Sequence, residues 1–292
     1  VHFDRSYGTL NRYYRLVDSL TPADLQAAAR KYLVDDSMIV TTLAHGALPA
    51  GIEALPKVAS LAPPGANAQF DVLVQKSALP QVRFKLLFAA GSSHDPKGKE
   101  GLAALTASMV AEAGSNERKI DEINKALFPL AGSFTDQVDK EMTTFSGAIH
   151  KDKWNEFLDI ALPMLLEPGF REDDFRRLKD AQKNALVLDL KDNNEEEFGK
   201  ERLQTNVYAG TGYAHPVLGT VKGIEAITLD DVKAFYRQAY TAGALKIGIS
   251  GDVSETMIGG LKTALARLPQ GAGLAATPVP QGRKPQGLEV EI

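Results

Sequence analysis

The chain has 292 residues, a formal charge of −4 at pH 7, 44% hydrophobic and 24% charged residues, proportions ordinary for a globular protein of one or two domains. Its basic residues are scattered (Lys31, Lys76, Lys119, Arg176, Arg177) and do not form a stripe with interleaved aromatics, which argues against a nucleic-acid binder. The absence of cysteine excludes disulfides, thiolate zinc sites and cysteine nucleophiles, and no apolar run is long enough to span a bilayer.

Taken in order, Leu20-Thr21-Pro22-Ala23-Asp24-Leu25 reads as the start of a helix, with Thr21 as N-cap, Pro22 at the first helical position and Asp24 near the positive end of the dipole. The apolar run Met38-Ile39-Val40 follows as a strand candidate. Ala44–Gln69, rich in Ala, Gly and Pro and containing Pro63-Pro64-Gly65, has linker composition. Phe70–Val74 and Val82–Ala90 are strands, the second with Val82, Phe84, Leu86 and Phe88 at period two. Gly101–Ala113 is a helix of small residues that Gly114 stops, and Ile120–Leu130 a helix closed by Gly132. Ser133–Ile149 divides into two strands. Trp154–Leu166 is amphipathic, and Pro163 should kink it or reset its start. A polar helix begins near Glu172, is interrupted around Asp192-Asn193-Asn194 and resumes through Glu195–Val207. Helix Asp230–Tyr240, strand Leu245–Ser250 and helix Thr256–Leu268 complete the set. Runs of strands followed by runs of helices predict an α+β domain, with helices packed on a largely antiparallel sheet.

An internal repeat organises the chain. Ile227-Thr228-Leu229-Asp230-Asp231-Val232 repeats the Leu20–Leu25 pattern at an offset of 207 residues, and Ala27 with Ala234 and Arg30 with Arg237 continue it. Leu245-Lys246-Ile247 stands opposite Met38-Ile39-Val40 at the same offset. Residues 1–43 therefore read as the C-terminal tail of a preceding homologous domain, 44–69 as linker and 70–269 as a complete domain. Residues 270–292 read as a second linker and, in Leu288–Ile292, the first strand of a following domain, so the chain is expected to be an excerpt. No signal-peptide pattern follows Val1.

Phe88-Ala89-Ala90-Gly91-Ser92-Ser93-His94-Asp95-Pro96, followed by Gly101-Leu102-Ala103, resembles the opening of insulinase/pitrilysin-family zinc peptidase domains, where a strand ends in a small-residue loop and enters a helix. Gly212-Tyr213-Ala214-His215-Pro216, Gly219, Gly223–Thr228, Phe235-Tyr236, Tyr240 and Gly251-Asp252-Val253 keep that family's order. The resemblance implies an insulinase/processing-peptidase-like fold. It also implies that the helix after the loop should carry His-x-x-Glu-His, two imidazoles for zinc and a carboxylate that deprotonates the metal-bound water. The matching stretch is Ala104-Leu105-Thr106-Ala107-Ser108: alanine at the first ligand and at the base, serine at the second ligand. Asp189 is the nearest match to the third ligand, a Glu on a later helix. Methyl groups cannot hold zinc, so no catalytic residue and no metal are assigned to this segment.

Other candidates carry less. His2, His45, His94, His150 and His215 have no helical partner three or four residues away. His215 before Pro216 reads as a structural loop residue, and His94 as exposed or capping. Glu195-Glu196-Glu197 fans around a helix as a solvated acidic face, since consecutive residues do not converge on a cation. No Gly-x-Ser-x-Gly elbow and no phosphate loop are present. The expected role is a non-catalytic domain that lines a peptide-binding chamber while zinc chemistry resides in a homologous catalytic domain or subunit. A free sheet edge, Phe70–Val74 or Val82–Ala90, would accept an extended peptide. The alternative is a structural, assembly or presequence-binding subunit with no associated proteolysis. The expected setting is the periplasm or another exported compartment of a bacterium.

Overall fold

The structure is a computed structural model that describes residues 8–32, 34–35, 46, 70–278 and 280–284. The chain divides into two compact units, Val1–Gly65 and Ala66–Ile292. Met38–Val40, most of Ala44–Gln69 and Leu288–Ile292 lie outside the described residues.

In the first unit, α1 (Gly8–Ser19) leads to α2 (Pro22–Tyr32). The predicted cap at Thr21 is a reciprocal capping box: Thr21 N donates to Asp24 Oδ2 (2.9 Å), and Asp24 N donates to Thr21 Oγ1 (3.3 Å). The repeat at Thr228 closes in the same way, with Thr228 N to Asp231 Oδ2 at 2.8 Å and Asp231 N to Thr228 Oγ1 at 3.2 Å. Sequence spacing at the 207-residue offset thus reproduces one local hydrogen-bond solution twice. The two copies differ in their packing. Leu25 and Tyr32 of α2 are exposed, whereas their counterparts Val232 and Ala239 are buried.

The second unit holds a five-stranded sheet of β1 (Asp71–Lys76), β2 (Gln81–Phe88), β3 (Ser133–Val138), β4 (Thr143–His150) and β5 (Leu245–Gly251), in the order β1-β5-β2-β4-β3. Only β1 with β5 is parallel; the other pairs are antiparallel. The helices are α3 (Leu102–Glu112), α4 (Ile120–Leu127), α5 (Trp154–Leu166), α6 (Glu172–Asn184), α7 (Glu195–Val207), α8 (Val221–Ala226), α9 (Leu229–Ala239) and α10 (Glu255–Leu265). None among the described residues is long and apolar enough to cross a membrane.

Alternation on β2 sorts the two faces of the sheet. Val82, Phe84, Leu86 and Phe88 are buried under the helices, while Arg83 and Lys85 are exposed on the other face. Phe84 is the centre of the apolar side, with Trp154 and Phe157 of α5 edge-on at 5.8 and 6.1 Å between centroids. A Cβ at Gly147 of the neighbouring strand would lie 2.3 Å from the Phe84 ring, so glycine makes room for it. Further along, Phe88, Phe145 and Tyr240 cluster with centroids 5.0–6.2 Å apart.

One strand expectation needs correction. Val82–Ala90 was a candidate free edge, yet β2 pairs with β5 on one side and β4 on the other and is internal. Period two tells which face a residue occupies and is silent on strand order. The two edges are β1 and β3. Pro163 is carried inside α5 without ending it. The interruption expected at Asp192-Asn193-Asn194 begins earlier, because the helix after Asn184 widens into π geometry over Ala185–Asp192. Asn194 then caps α7, its side chain accepting from Glu197 N at 3.2 Å. The short helix α8 had no counterpart in the sequence reading. The Gly- and Pro-rich stretch after α10 is bonded to the domain, with Ala242 N to Pro269 O at 2.9 Å and Arg283 N to Val207 O at 2.7 Å.

Truncating the Phe84 side chain opens a void beside two aromatic neighbours, Trp154 and Phe157. Phe84→Ala is expected to lower unfolding free energy by about 3–5 kcal/mol, measured by urea denaturation followed by circular dichroism.

Candidate functional site

The loop that leaves β2 is built by close backbone approach. Ser92 N and Ser93 N donate to the carbonyls of Asp139 and Lys140 (2.9 and 2.8 Å) in the β3–β4 turn. A Cβ on Gly91 would sit 2.4 Å from Asp139 O, so only glycine fits there. Asp95 follows, its side chain fully buried, and both oxygens accept from the head of α3: Gly101 N to Oδ2 and Ala103 N to Oδ1, each at 2.7 Å. Gly101 has no capping side chain and takes φ +108°, so Asp95 supplies the cap from six residues upstream. Burial raises the Asp95 carboxyl to about 7, although the two N–H donors and Lys140 pull the other way.

A second loop, between α7 and α8, lies against the first. A Cβ on Gly212 would approach Ser93 O to 2.2 Å, and one on Gly219 would approach Glu100 O to 2.0 Å. His215 within this loop is buried, its Nδ1 2.8 Å from Pro216 O and its Nε2 4.0 Å from Asp95 Oδ2. Burial holds the imidazole below its ordinary pKa, partly opposed by its backbone hydrogen bonds. The Lys140 ammonium donates to His215 O and stands 4.0 Å from Glu201 Oε2 of α7. Its own pKa is lowered by burial, with Glu201 and Asp95 opposing. Tyr213 OH donates to Glu141 Oε1 at 3.0 Å. Between the two loops a cavity of about 450 Å³ is lined by Asp95, Glu100, Gly212, His215 and Thr220.

The positions read as a degenerate zinc motif lie on α3. Ala104 and Ala107 are buried, Ala107 completely, and Ser108 is half-buried. Asp189 is exposed in the π-helical stretch, which buries Leu186 instead. Methyl groups pressed into the core do not fit zinc, and among the described residues no group of three His, Asp or Glu side chains is disposed to hold a metal ion. His94 is not free at the surface: its Nε2 lies 2.9 Å from Ala275 O and 3.2 Å from Thr277 Oγ1, tying down the stretch after α10. His215, expected as a loop residue, is buried in the loop between α7 and α8 and lines the cavity there. Glu195, Glu196 and Glu197 are exposed, the latter two paired with Lys200 at 2.8 and 2.6 Å.

Sequence reasoning passed over Asp95, Lys140 and Glu201. Asp95 had a signal, an acid shortly before a helix whose own N-terminal residues offer no cap. Lys140 and Glu201 had none, because only the fold brings the β3–β4 turn and α7 to one place.

With this geometry described, comparison with known proteins is decisive. A family model described as Insulinase (Peptidase family M16) matches residues 71–221, just over half of the chain. The chain belongs to that family. It is 27% identical over 207 residues to the "Non-peptidase homolog YmxG" of Helicobacter pylori, covering 70% of this chain and 47% of that protein. It is 22% identical over 177 residues to an "Uncharacterized zinc protease" of Rickettsia felis, covering 61% of this chain and 42% of the relative. A crystal structure of a peptidase M16 inactive domain from Pseudomonas fluorescens superposes with TM-score 0.68 and 28% identity, over 76% of this chain and 53% of that one. These matches, with the insulinase-type α+β fold, make this an inactive domain of the M16 family. The chain spans less than half the length of these Helicobacter and Rickettsia relatives.

The buried alanines yield a direct test. Ala107→Glu puts an unpaired carboxylate into the core, with an expected cost of about 3–5 kcal/mol, whereas Ser108→Glu at the half-exposed position should cost about 0.5 kcal/mol. Denaturation midpoints of the two M16-domain variants measure the contrast.

Proposed function

We propose that this M16 domain forms part of the wall of a peptide-binding chamber and leaves zinc-dependent hydrolysis to a homologous catalytic domain or subunit. The observation that carries the reading is an open sheet edge, β3, running beside the helix whose motif positions hold Ala104, Ala107 and Ser108. Ala104, Ser108 and Glu112 follow one another at four-residue spacing, so they form one stripe of α3. Glu112 is close enough to Asp136 of β3 to contribute to raising its carboxyl to about 6, after burial as the larger cause. The Glu112 end of the stripe therefore lies near the β3 edge. An edge strand offers outward N–H and C=O groups, and an extended peptide can pair with them whatever its sequence.

Among the similar proteins, the "Probable mitochondrial-processing peptidase subunit beta" of Arabidopsis thaliana, 20% identical over 56% of this chain, is by its name one subunit of an assembly. A partnership of that kind supports a division of labour between a binding copy and a cleaving copy. The other edge, β1, also has a free side, but it is flanked by β5 and is distant in strand order from β3.

Hydrogen exchange with an excess of unstructured peptide tests the reading. Amides of Ser133–Val138 should gain protection while those of Asp71–Lys76 do not, and the chain with added zinc should leave the peptide intact. Protection confined to β1, no protection at saturating peptide, or cleavage by the isolated chain would each reject it.

A further inference from the structure

The two copies of the internal repeat share a local structure and differ in what surrounds them. In the second unit, Ile224 of α8, Ile227 just before the capping box and Val232 of α9 are buried, none more than 1% exposed. Their counterparts at the 207-residue offset, Val17, Leu20 and Leu25, are 45%, 47% and 60% exposed. All three positions keep branched aliphatic side chains, so the first copy retains a core-facing pattern without a core. Helices of 12 and 11 residues are too short to be stable by propensity alone and depend on packing of their apolar face.

What covers the second copy states what the first requires. There α9 packs on α3, and α8 packs on α6 and on the head of α3, where a Cβ on Gly101 would come within 3.2 Å of Ile224 Cγ1. The cover is also charged. Lys183 of α6 pairs with Glu225, and Lys179 donates to the carbonyls of Glu225 and Ile227 at 2.9 and 2.8 Å. Lys99, three residues ahead of α3, pairs with Asp231. In the first copy Asp18 and Asp24 occupy the positions of Glu225 and Asp231. Neither is ion-paired with a lysine or arginine among the described residues. Asp18 also lies in the last turn of α1, which holds no basic residue, so its charge opposes the helix dipole. Two acids beside an apolar face are complementary to a cover that brings lysines.

We propose that Val17, Leu20 and Leu25 are the docking face for a tandem copy of this domain encoded ahead of it, and that they seat on that copy's equivalents of α3 and α6 with lysines set against Asp18 and Asp24. The first unit then closes that copy as α8 and α9 close the second unit.

Occupancy and length both favour that partner. The α3 and α6 of this chain are already covered by α8 and α9, so a second molecule of the chain offers no vacant face of the required kind. Counting back 207 residues from Lys99 and Lys183 places both equivalents upstream of Val1. The Helicobacter and Rickettsia relatives, of which the chain spans less than half, have the length to hold them. The inference concerns the first unit and does not rest on peptide pairing at β3.

Comparison of the 292-residue chain with the natural polypeptide of the same gene tests the docking face. In the chain, amides of residues 8–32 should exchange within about tenfold of the unstructured rate. In the natural polypeptide they should exchange at least about a hundredfold more slowly, as those of 221–239 do. Benzoylphenylalanine in place of Leu25 of the natural polypeptide, irradiated in the native cell, should link to peptides of the same molecule that align with residues 99–112 or 172–184. Asp18→Lys relieves the dipole conflict and so favours α1 itself, yet it should lower the yield of that link about threefold or more. Protection of 8–32 in the 292-residue chain, a natural product with no such sequence upstream, a link to a separate polypeptide or another region, or a yield unmoved by Asp18→Lys would each overturn the proposal.

Discussion

Two hydrogen bonds from the head of α3 to one buried carboxylate hold the rest of the domain in register. Gly101, at the start of α3, is in the left-handed region and brings no side-chain cap, so the helix would otherwise begin with bare N–H groups inside the protein. Asp95 fills that need with both oxygens, and the position of the loop that leaves β2 becomes the position of the helix. Gln182 of α6 joins from the far side, its amide donating to Gly101 O and Leu218 O at 2.9 and 2.8 Å. Strand, helix and the second loop are thereby fixed at a single point. Because α3 then packs against β3, α6 and α9, an error there would propagate into the whole helical layer.

The same constraint explains how an inactive domain keeps its fold. What seats α3 is Asp95 and the glycine contacts around it, and none of these involves the residues at the motif positions. Replacing imidazoles and a carboxylate by Ala104, Ala107 and Ser108 removes groups whose desolvation a core would resist and substitutes good helix formers. The domain can lose its chemistry with its packing intact or improved. Ala107 is completely buried, so its methyl group is part of the core.

Much of the fold was legible because its signals are local. Alternation on β2, the Thr-x-x-Asp boxes, Gly114 as a helix stop and the Asn194 restart each act within a few residues, and each stands in the structure near its expected place. Strand order was not legible: that β5, drawn from the far end of the domain, inserts between β1 and β2 depends on contacts some 170 residues apart. The site divides along the same line. The reading of Ala104–Ser108 as an emptied motif rests on one pentapeptide, whereas the meeting of Asp95, Lys140, Glu201 and His215 exists only once four segments have been folded together.

That distribution bears on where function can still reside in such a domain. Stability here rests on a polar centre that is buried, incompletely bonded and charged, an arrangement that an apolar core would replace at lower desolvation cost. If that centre served stability alone, leucine-like packing between the two loops would do as well. Instead Gly212 and Gly219 bring backbone against backbone so closely that little apolar filling is possible. Asp95, Lys140, Glu201 and His215 are thus held together at the N-terminal end of the same helix that carries Ala104, Ala107 and Ser108, by contacts that do not involve those three residues.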